Sequence, residues 1–229
     1  MILPQMQSGI LQRRYKRFLA DIELEDGKVI TAHTPNTGSM KQCSEPGARV
    51  MFSCSTNSAR KYPHTLELIE VAGSWVDINT QRSNKIVAEA LAQGTIKGFE
   101  TCLIVPEQRL GESRIDFRLE QGADTLWLEV KNVTYMGTPA CACFPDAVSS
   151  RGQRHLHALQ QACARGERGI ILFLVQRAEA QLFAPAADID PDYARSLREV
   201  LHAGVEPLAY QTEITPAECR IARRLPVIV

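Results

Sequence analysis

No stretch between Leu11 and Trp75 spaces its apolar residues as a helix would, whereas from Ser83 onward such spacing recurs. That change of texture constrains the fold more than any single motif. In the first part Phe18, Ala20, Ile22 and Leu24 alternate with Leu19, Asp21, Glu23 and Glu25, the period of two that marks a half-buried strand. Asp26-Gly27 supplies a hairpin turn into Lys28–His33, because glycine accepts the positive φ such turns require. Pro35-Asn36-Thr37-Gly38 is a second turn cluster, and Arg49–Ser55 and Thr65–Val71 are further strand-like runs. Several short strands in so few residues predict a small closed β-barrel, with the OB-fold as leading candidate.

After Trp75 helices and strands alternate. Asn84–Ala92 reads as a helix capped by Ser83, followed by strands at Cys102–Pro106, Arg114–Leu119 and Leu126–Thr134. After a loop, Gln153–Ala164 is helical, and Gly169–Val175 is a continuous apolar run of the kind found inside a sheet covered on both faces. Asp192–His202 is the last helix, with Leu208–Ile214 and Leu225–Val229 as possible edge strands. The reading is an α/β (α+β) chain of two domains, 1–80 a β-barrel and 81–229 an α/β domain, which a length of 229 residues allows.

Composition excludes several classes. With 45% apolar and 23% charged residues the chain is neither disordered, collagen-like nor coiled-coil. Gly169–Val175 falls far short of the ~20 apolar residues of a membrane helix, and Met1-Ile2-Leu3-Pro4 opens no secretory leader. Seven scattered cysteines, an odd number, suggest free thiols in a reducing cytoplasm. The 26 basic and 26 acidic side chains cancel, which argues against a broadly basic coat while leaving room for a local basic stripe.

The strand Leu126–Lys131 carries the chemistry. Alternation sends Leu126, Leu128 and Val130 to one face and Trp127, Glu129 and Lys131 to the other. In Arg114–Leu119 the same rule turns Ile115, Phe117 and Leu119 inward and Asp116 outward. If the two strands pair, Asp116 and Glu129 reach one point, beside Lys131, in a groove wide enough for a duplex. Carboxylate oxygens suit Mg²⁺ or Mn²⁺, a bound cation acidifies water and neutralises phosphate charge, and a lysine stabilises the anionic transition state. Asp116, Glu129 and Lys131 are therefore the candidate catalytic residues, with Asp116, Glu129 and, from the preceding helix, Glu89 as metal ligands. The same Glu-x-Lys pattern also fits a solvated strand face, where opposite charges are mildly stabilising.

Candidate DNA contacts come from three basic clusters. Arg151 and Arg154 open a helix, whose first N–H groups favour anions. Arg13, Arg14, Lys16 and Arg17 bracket Tyr15, and Arg60 and Lys61 adjoin Tyr62, pairing cations for phosphates with a ring for stacking. The alternative for these runs is an exposed edge strand guarded by charge. Cys141 and Cys143 with His155 and His157 make a poor zinc set, because residues two apart on a helix point about 200° apart. No Walker A, Rossmann glycine pattern, Gly-x-Ser-x-Gly or His-Glu-x-x-His is present.

Four segments taken in chain order resemble the bacterial sugar fermentation stimulation protein A family. They are Ala32–Met40, Arg114–Phe117, Glu129–Thr134, and Phe144–Ala147 leading to Arg151–Leu156. The resemblance spans nearly the whole chain. It implies an N-terminal OB-like domain and a C-terminal domain similar to PD-(D/E)XK nucleases, with a mixed central sheet. It also implies DNA binding without strong sequence preference and a regulatory link to maltose and sugar metabolism. The nuclease pattern maps onto Asp116, Glu129 and Lys131, with Ile115 where the name-giving proline would stand. Nuclease-like folds also serve pure binders, so a metal-dependent endonuclease and a non-catalytic regulator both follow, and a homodimer is left open.

Overall fold

A computed structural model describes residues 1–36 and 38–229; Thr37, part of the turn cluster and of the first family segment, lies outside the described residues. The chain opens with β1 (Met6–Tyr15), β2 (Leu19–Glu23), β3 (Val29–His33), β4 (Arg49–Cys54), β5 (His64–Val71) and β6 (Ser74–Asp77). Strand β1 pairs with both β2 and β4, β2 with β3, β4 with β5, and a short parallel pairing of β3 with β5 closes the circuit. The order 1-2-3-5-4-1 is that of an OB barrel. One strand can serve two neighbours because β1 bends: its register with β2 shifts between Leu11 and Arg13. Gly9 permits the crossing, since a Cβ there would lie 2.4 Å from Ile22 Cγ2 and 2.8 Å from the Glu23 carbonyl. Leu11, Ile22, Val50, Phe52, Leu66 and Ile69 fill the barrel.

The second part begins with α1 (Ser83–Ala92) and continues with β7 (Leu103–Leu110), β8 (Ser113–Gln121) and β9 (Asp124–Val133). Then come β10 (Tyr135–Thr138), β11 (Cys141–Phe144), α2 (Ser150–Ala164), β12 (Arg168–Val175), β13 (Leu182–Pro185), α3 (Pro191–His202), β14 (Glu206–Ile214) and β15 (Cys219–Leu225). The central sheet runs β15-β14-β12-β9-β8-β7 and is mixed, with β12 parallel to both β9 and β14 and the remaining pairs antiparallel. Strand β12 sits mid-sheet and is buried on both faces. Ile171, Phe173 and Val175 pack towards α2 and α3, and Ile170, Leu172 and Leu174 towards α1. Among the described residues no helix is long and apolar enough to cross a membrane.

Several expectations change in detail. The segment between β9 and α2, read as a loop, folds with β13 into a small sheet, β10-β11-β13. The last strand is Cys219–Leu225, not Leu225–Val229. Its Cys219, Ile221 and Leu225 are buried and the residues between them exposed, an alternation that the run of arginines obscures. Ser83 does not cap α1: its hydroxyl reaches across to the Asn132 side chain at 3.1 Å. Ile115 and Phe117 enter opposite core clusters, so β8 changes phase between them. The barrel and the sheet share a core, with Leu68 of β5 wholly buried in the cluster under α1. Residues 1–3 belong to that junction as well, since the Leu3 N–H bonds to Ala217 O and the Cys219 N–H to Met1 O.

Candidate active site

The β8–β9 ladder ends at the pair Phe117–Leu128. One residue further on, side chains replace the ladder. Asp116 Oδ2 accepts the Val130 N–H at 2.8 Å, and the Asp116 N–H points at Glu129 Oε2 at 3.4 Å. This exchange departs from regular pairing, and it coincides with the change of phase beside Ile115. Asn84, in the first turn of α1, donates to Asp116 Oδ1 at 2.7 Å. Lys131 Nζ lies 2.6 Å from Glu129 Oε1, and His155 Nδ1 from α2 bonds to the same oxygen. Glu129, Lys131 and His155 are all buried.

The two carboxyls are held in different states. Burial and the neighbouring Glu129 charge push Asp116 up to about 6. Burial would raise Glu129 too, but the Lys131 ammonium and His155 overcome it and hold Glu129 below its ordinary value. One carboxylate is thus ionised and tied, and the other sits poised near neutrality.

These groups open into a cleft of about 320 Å³. Its floor is β9, and its rim comes from the start of α1, the start of α2, the segment from Cys143 to Asp146, and the barrel loop at Asn36 and Gly38. The cleft lies at the junction of the two domains.

Asp116, Glu129 and Lys131 come together as expected, and Arg151 joins them on the wall. Glu89 does not. Five residues along α1 from Asn84, its carboxylate takes the Met1 amino group at 2.7 Å, outside the cleft. Arg154, one helical turn beyond Arg151, is exposed and does not line the cleft.

The barrel cluster is only partly available to a ligand. Arg14 is a structural residue: its guanidinium donates to the carbonyls of Arg17, Asn36, Gly38 and Ser39 at 2.7–3.1 Å. Arg13 pairs with Asp21 at 2.8 Å and lies over the Tyr15 ring. Lys16 and Arg17 occupy the β1–β2 turn at positive φ, with exposed side chains. Arg60 donates to Thr65 Oγ1 at 3.1 Å, and Lys61 lies over Tyr62. None of these barrel residues lines the cleft.

Three participants were given no role at this site by the sequence. His155 lies in the buried stripe Gly152, His155, Leu156, Leu159 of α2, and a histidine in an apolar stripe was the available signal. Asn84 carried none. Asp146, within the Phe144–Ala147 segment, accepts the Ser39 hydroxyl at 2.8 Å and the Met40 N–H at 3.0 Å, while Ser149 caps α2.

Among the described residues no three His, Cys, Asp or Glu side chains converge to hold a metal alone. Two oxygen donors, Asp116 and Glu129, fit a hard cation that keeps several waters, as Mg²⁺ does, and do not fit a dedicated zinc cage. Cys141 and Cys143 bring their sulfurs within 3.6 Å of each other, with neither cleft-facing histidine nor His157 completing a set.

Comparison with known proteins decides the family. The model of the sugar fermentation stimulation protein RE domain matches residues 81–218, and that of the SfsA N-terminal OB domain matches residues 13–78. The chain belongs to the sugar fermentation stimulation protein family. A homolog from Syntrophotalea carbinolica is 56% identical over 219 residues, covering 96% of this chain and 95% of that one. One from Pelobacter propionicus is 49% identical over 233 residues, covering 100% of both. The structure of Pyrococcus furiosus SfsA in complex with Ca²⁺ superposes with a TM-score of 0.92 at 27% identity, over 100% of this chain and 98% of that one. The matched models thus give the family an N-terminal OB domain followed by an RE domain.

Proposed function

We propose that this chain binds DNA through its phosphates and hydrolyses phosphodiester bonds at the Asp116–Glu129–Lys131 cluster. The observation that carries the reading is the end of the β8–β9 ladder, where two carboxylates and a lysine occupy one cleft. The Ca²⁺ in the Pyrococcus furiosus relative supports a hard divalent cation. Mg²⁺ or Mn²⁺ held by Asp116 and Glu129 would supply charge neutralisation at the phosphate and an acidified water. Lys131 places an ammonium where phosphate charge develops, and His155 fixes the Glu129 oxygen that Lys131 leans on. Arg151, at the N-terminus of α2, adds a guanidinium for the incoming phosphate. The cysteines are all free, which suits a reducing cytoplasm.

One observation favours a second reading, a non-catalytic DNA-binding regulator: Glu129 Oε1 is already taken by two partners, and no third acidic side chain converges among the described residues. Supercoiled-plasmid nicking in Mg²⁺ or Mn²⁺ separates the two. Metal-dependent nicking that disappears in Asp116→Ala and Lys131→Ala is the expected result. Intact plasmid across metals and DNA structures would leave the regulator.

A further inference from the structure

All seven cysteines are free thiols, and two of them touch: the sulfurs of Cys141 and Cys143 lie 3.6 Å apart. Both stand on β11, where residues two apart share a face, so the strand itself turns the thiols the same way. Cys141 follows directly on the Pro139-Ala140 turn of the β10–β11 hairpin and is half-buried. Cys143 is buried and lines the cleft. Its sulfur lies over Gly137, the unpaired residue of the β10 bulge, where a Cβ would come within 2.7 Å of it. The two thiols otherwise reach only carbonyls of their own strand, Ala142 O and Cys141 O, each at 3.8 Å. Among the described residues no third metal-binding side chain joins them.

An accessible thiol backed by a buried one is the arrangement in which the first meets an oxidant and the second resolves the product. Burial and the neighbouring Cys141 push the Cys143 thiol up to about 12, which suits the resolving position. We infer that Cys141 and Cys143 are a hydroperoxide-sensitive dithiol whose disulfide reshapes the cleft and switches it off. The Cys141 thiolate attacks the hydroperoxide, the O–O bond breaks, and Cys141 becomes a sulfenic acid while water or an alcohol leaves. The Cys143 sulfur then attacks Cys141 Sγ, the S–O bond breaks, and the oxygen departs as water with the Cys143 proton. Two thiols are oxidised and one peroxide is reduced.

Residues two apart on a flat strand stand about 6.7 Å apart at Cα, near the upper limit that a disulfide spans. Closing the bridge therefore puckers β11 at Ala142. The strand runs on into Phe144, whose ring packs on Phe173 and Tyr193, and then to the Ser149 cap of α2. The displacement falls on the connection that seats Arg151 and His155. Its effect on cleavage rests on the proposed phosphodiester chemistry; the bridge and its effect on the fold do not.

The full chain is treated with equimolar hydrogen peroxide, desalted and digested with trypsin. Peptide 132–151 contains these two cysteines and no other. It should lose two hydrogens, regain them in dithiothreitol, and stay unbridged in Cys141→Ser, or in Cys141→Ala should the serine melt early. In the oxidised wild type, amide exchange across 144–152 should quicken at least threefold. Plasmid nicking in Mn²⁺ should fall at least fivefold and return with dithiothreitol, while the Cys141 variant nicks equally before and after peroxide.

A peptide whose cysteines gain oxygen instead of losing hydrogens would overturn the inference. So would a bridge that leaves amide exchange unchanged, or bridged and reduced forms that nick alike. A bridge that quickens exchange in a chain that nicks in neither state would support the switch and defeat the hydrolytic reading instead.

Discussion

At the scale of single residues, Asp116 pays for its position. Its carboxyl is raised to about 6 by burial and by the Glu129 charge, against an unfolded value of about 3.9. A raised folded value means stability fully present below about pH 4 and lost as pH rises through about 6. The shift corresponds to at most about 3 kcal/mol. Asp116→Asn removes the titration, so urea unfolding should show the variant gaining up to that amount on the wild type between pH 4 and pH 8. A difference that stays flat with pH would mean that burial and Glu129 do not raise this carboxyl. Lys131 has the opposite problem. Lys131→Ala leaves Glu129 buried with His155 as its remaining partner and should cost about 3–5 kcal/mol. Replacing both, Glu129→Gln with Lys131→Met, should recover most of that loss in thermal unfolding without restoring nicking. A double variant as unstable as the single one would show that the ion pair is not the source of the cost.

At the scale of elements, helix α2 holds two cleft residues, and its seat is set by a glycine. Gly169 of β12 lets the helix approach so closely that a Cβ there would lie 2.8 Å from the Leu159 carbonyl and 3.1 Å from Cys163 Sγ. Gly169→Ala must push α2 outward, carrying Arg151 and His155 with it. The expected cost is about 1–3 kcal/mol, with nicking reduced more than DNA binding; unchanged melting and activity would contradict this seating. Elements of this kind show which parts of the fold were legible beforehand. Strand β12 could be read from its continuous apolar run, the β2–β3 hairpin from Asp26-Gly27, and the three helices from their apolar spacing, although Asp21 is buried and Phe18 exposed against the alternation expected of β2. Strands β10, β11 and β13 could not, since the hairpin of β10 and β11 is completed as a sheet only by Leu182–Pro185, some forty residues beyond Cys141–Phe144. The candidate site was half legible. Strand alternation brings Asp116, Glu129 and Lys131 to one face from local sequence alone. Glu89 looked equally eligible, because the phase of α1 relative to the sheet is a tertiary fact. Asn84, five residues earlier, has the position assigned to it.

At the scale of the whole molecule, charge that looks like a nucleic-acid surface in the sequence divides into structural and available cations. Arg14 and Arg151 exemplify the two. Arg14 is spent on four backbone carbonyls that shape the wall of the cleft, whereas Arg151 stands exposed on its rim, touching His155 at 3.4 Å. A phosphate contact releases counterions, so its loss flattens the salt dependence of binding; a residue that builds the fold changes stability instead. Arg151→Ala should lower the slope of log affinity against log salt by about 0.7 for a single strand, or 0.9 for a duplex, with little change in melting temperature. Arg14→Ala should lower the melting temperature by several degrees, as expected for roughly 2–3 kcal/mol of lost buried bonding, and leave the slope of the folded protein nearly unchanged. Affinity titrations across a salt series, run beside thermal melts of both variants, decide it. If Arg14→Ala flattens the slope and Arg151→Ala does not, the strand runs over the barrel rather than into the cleft between the domains.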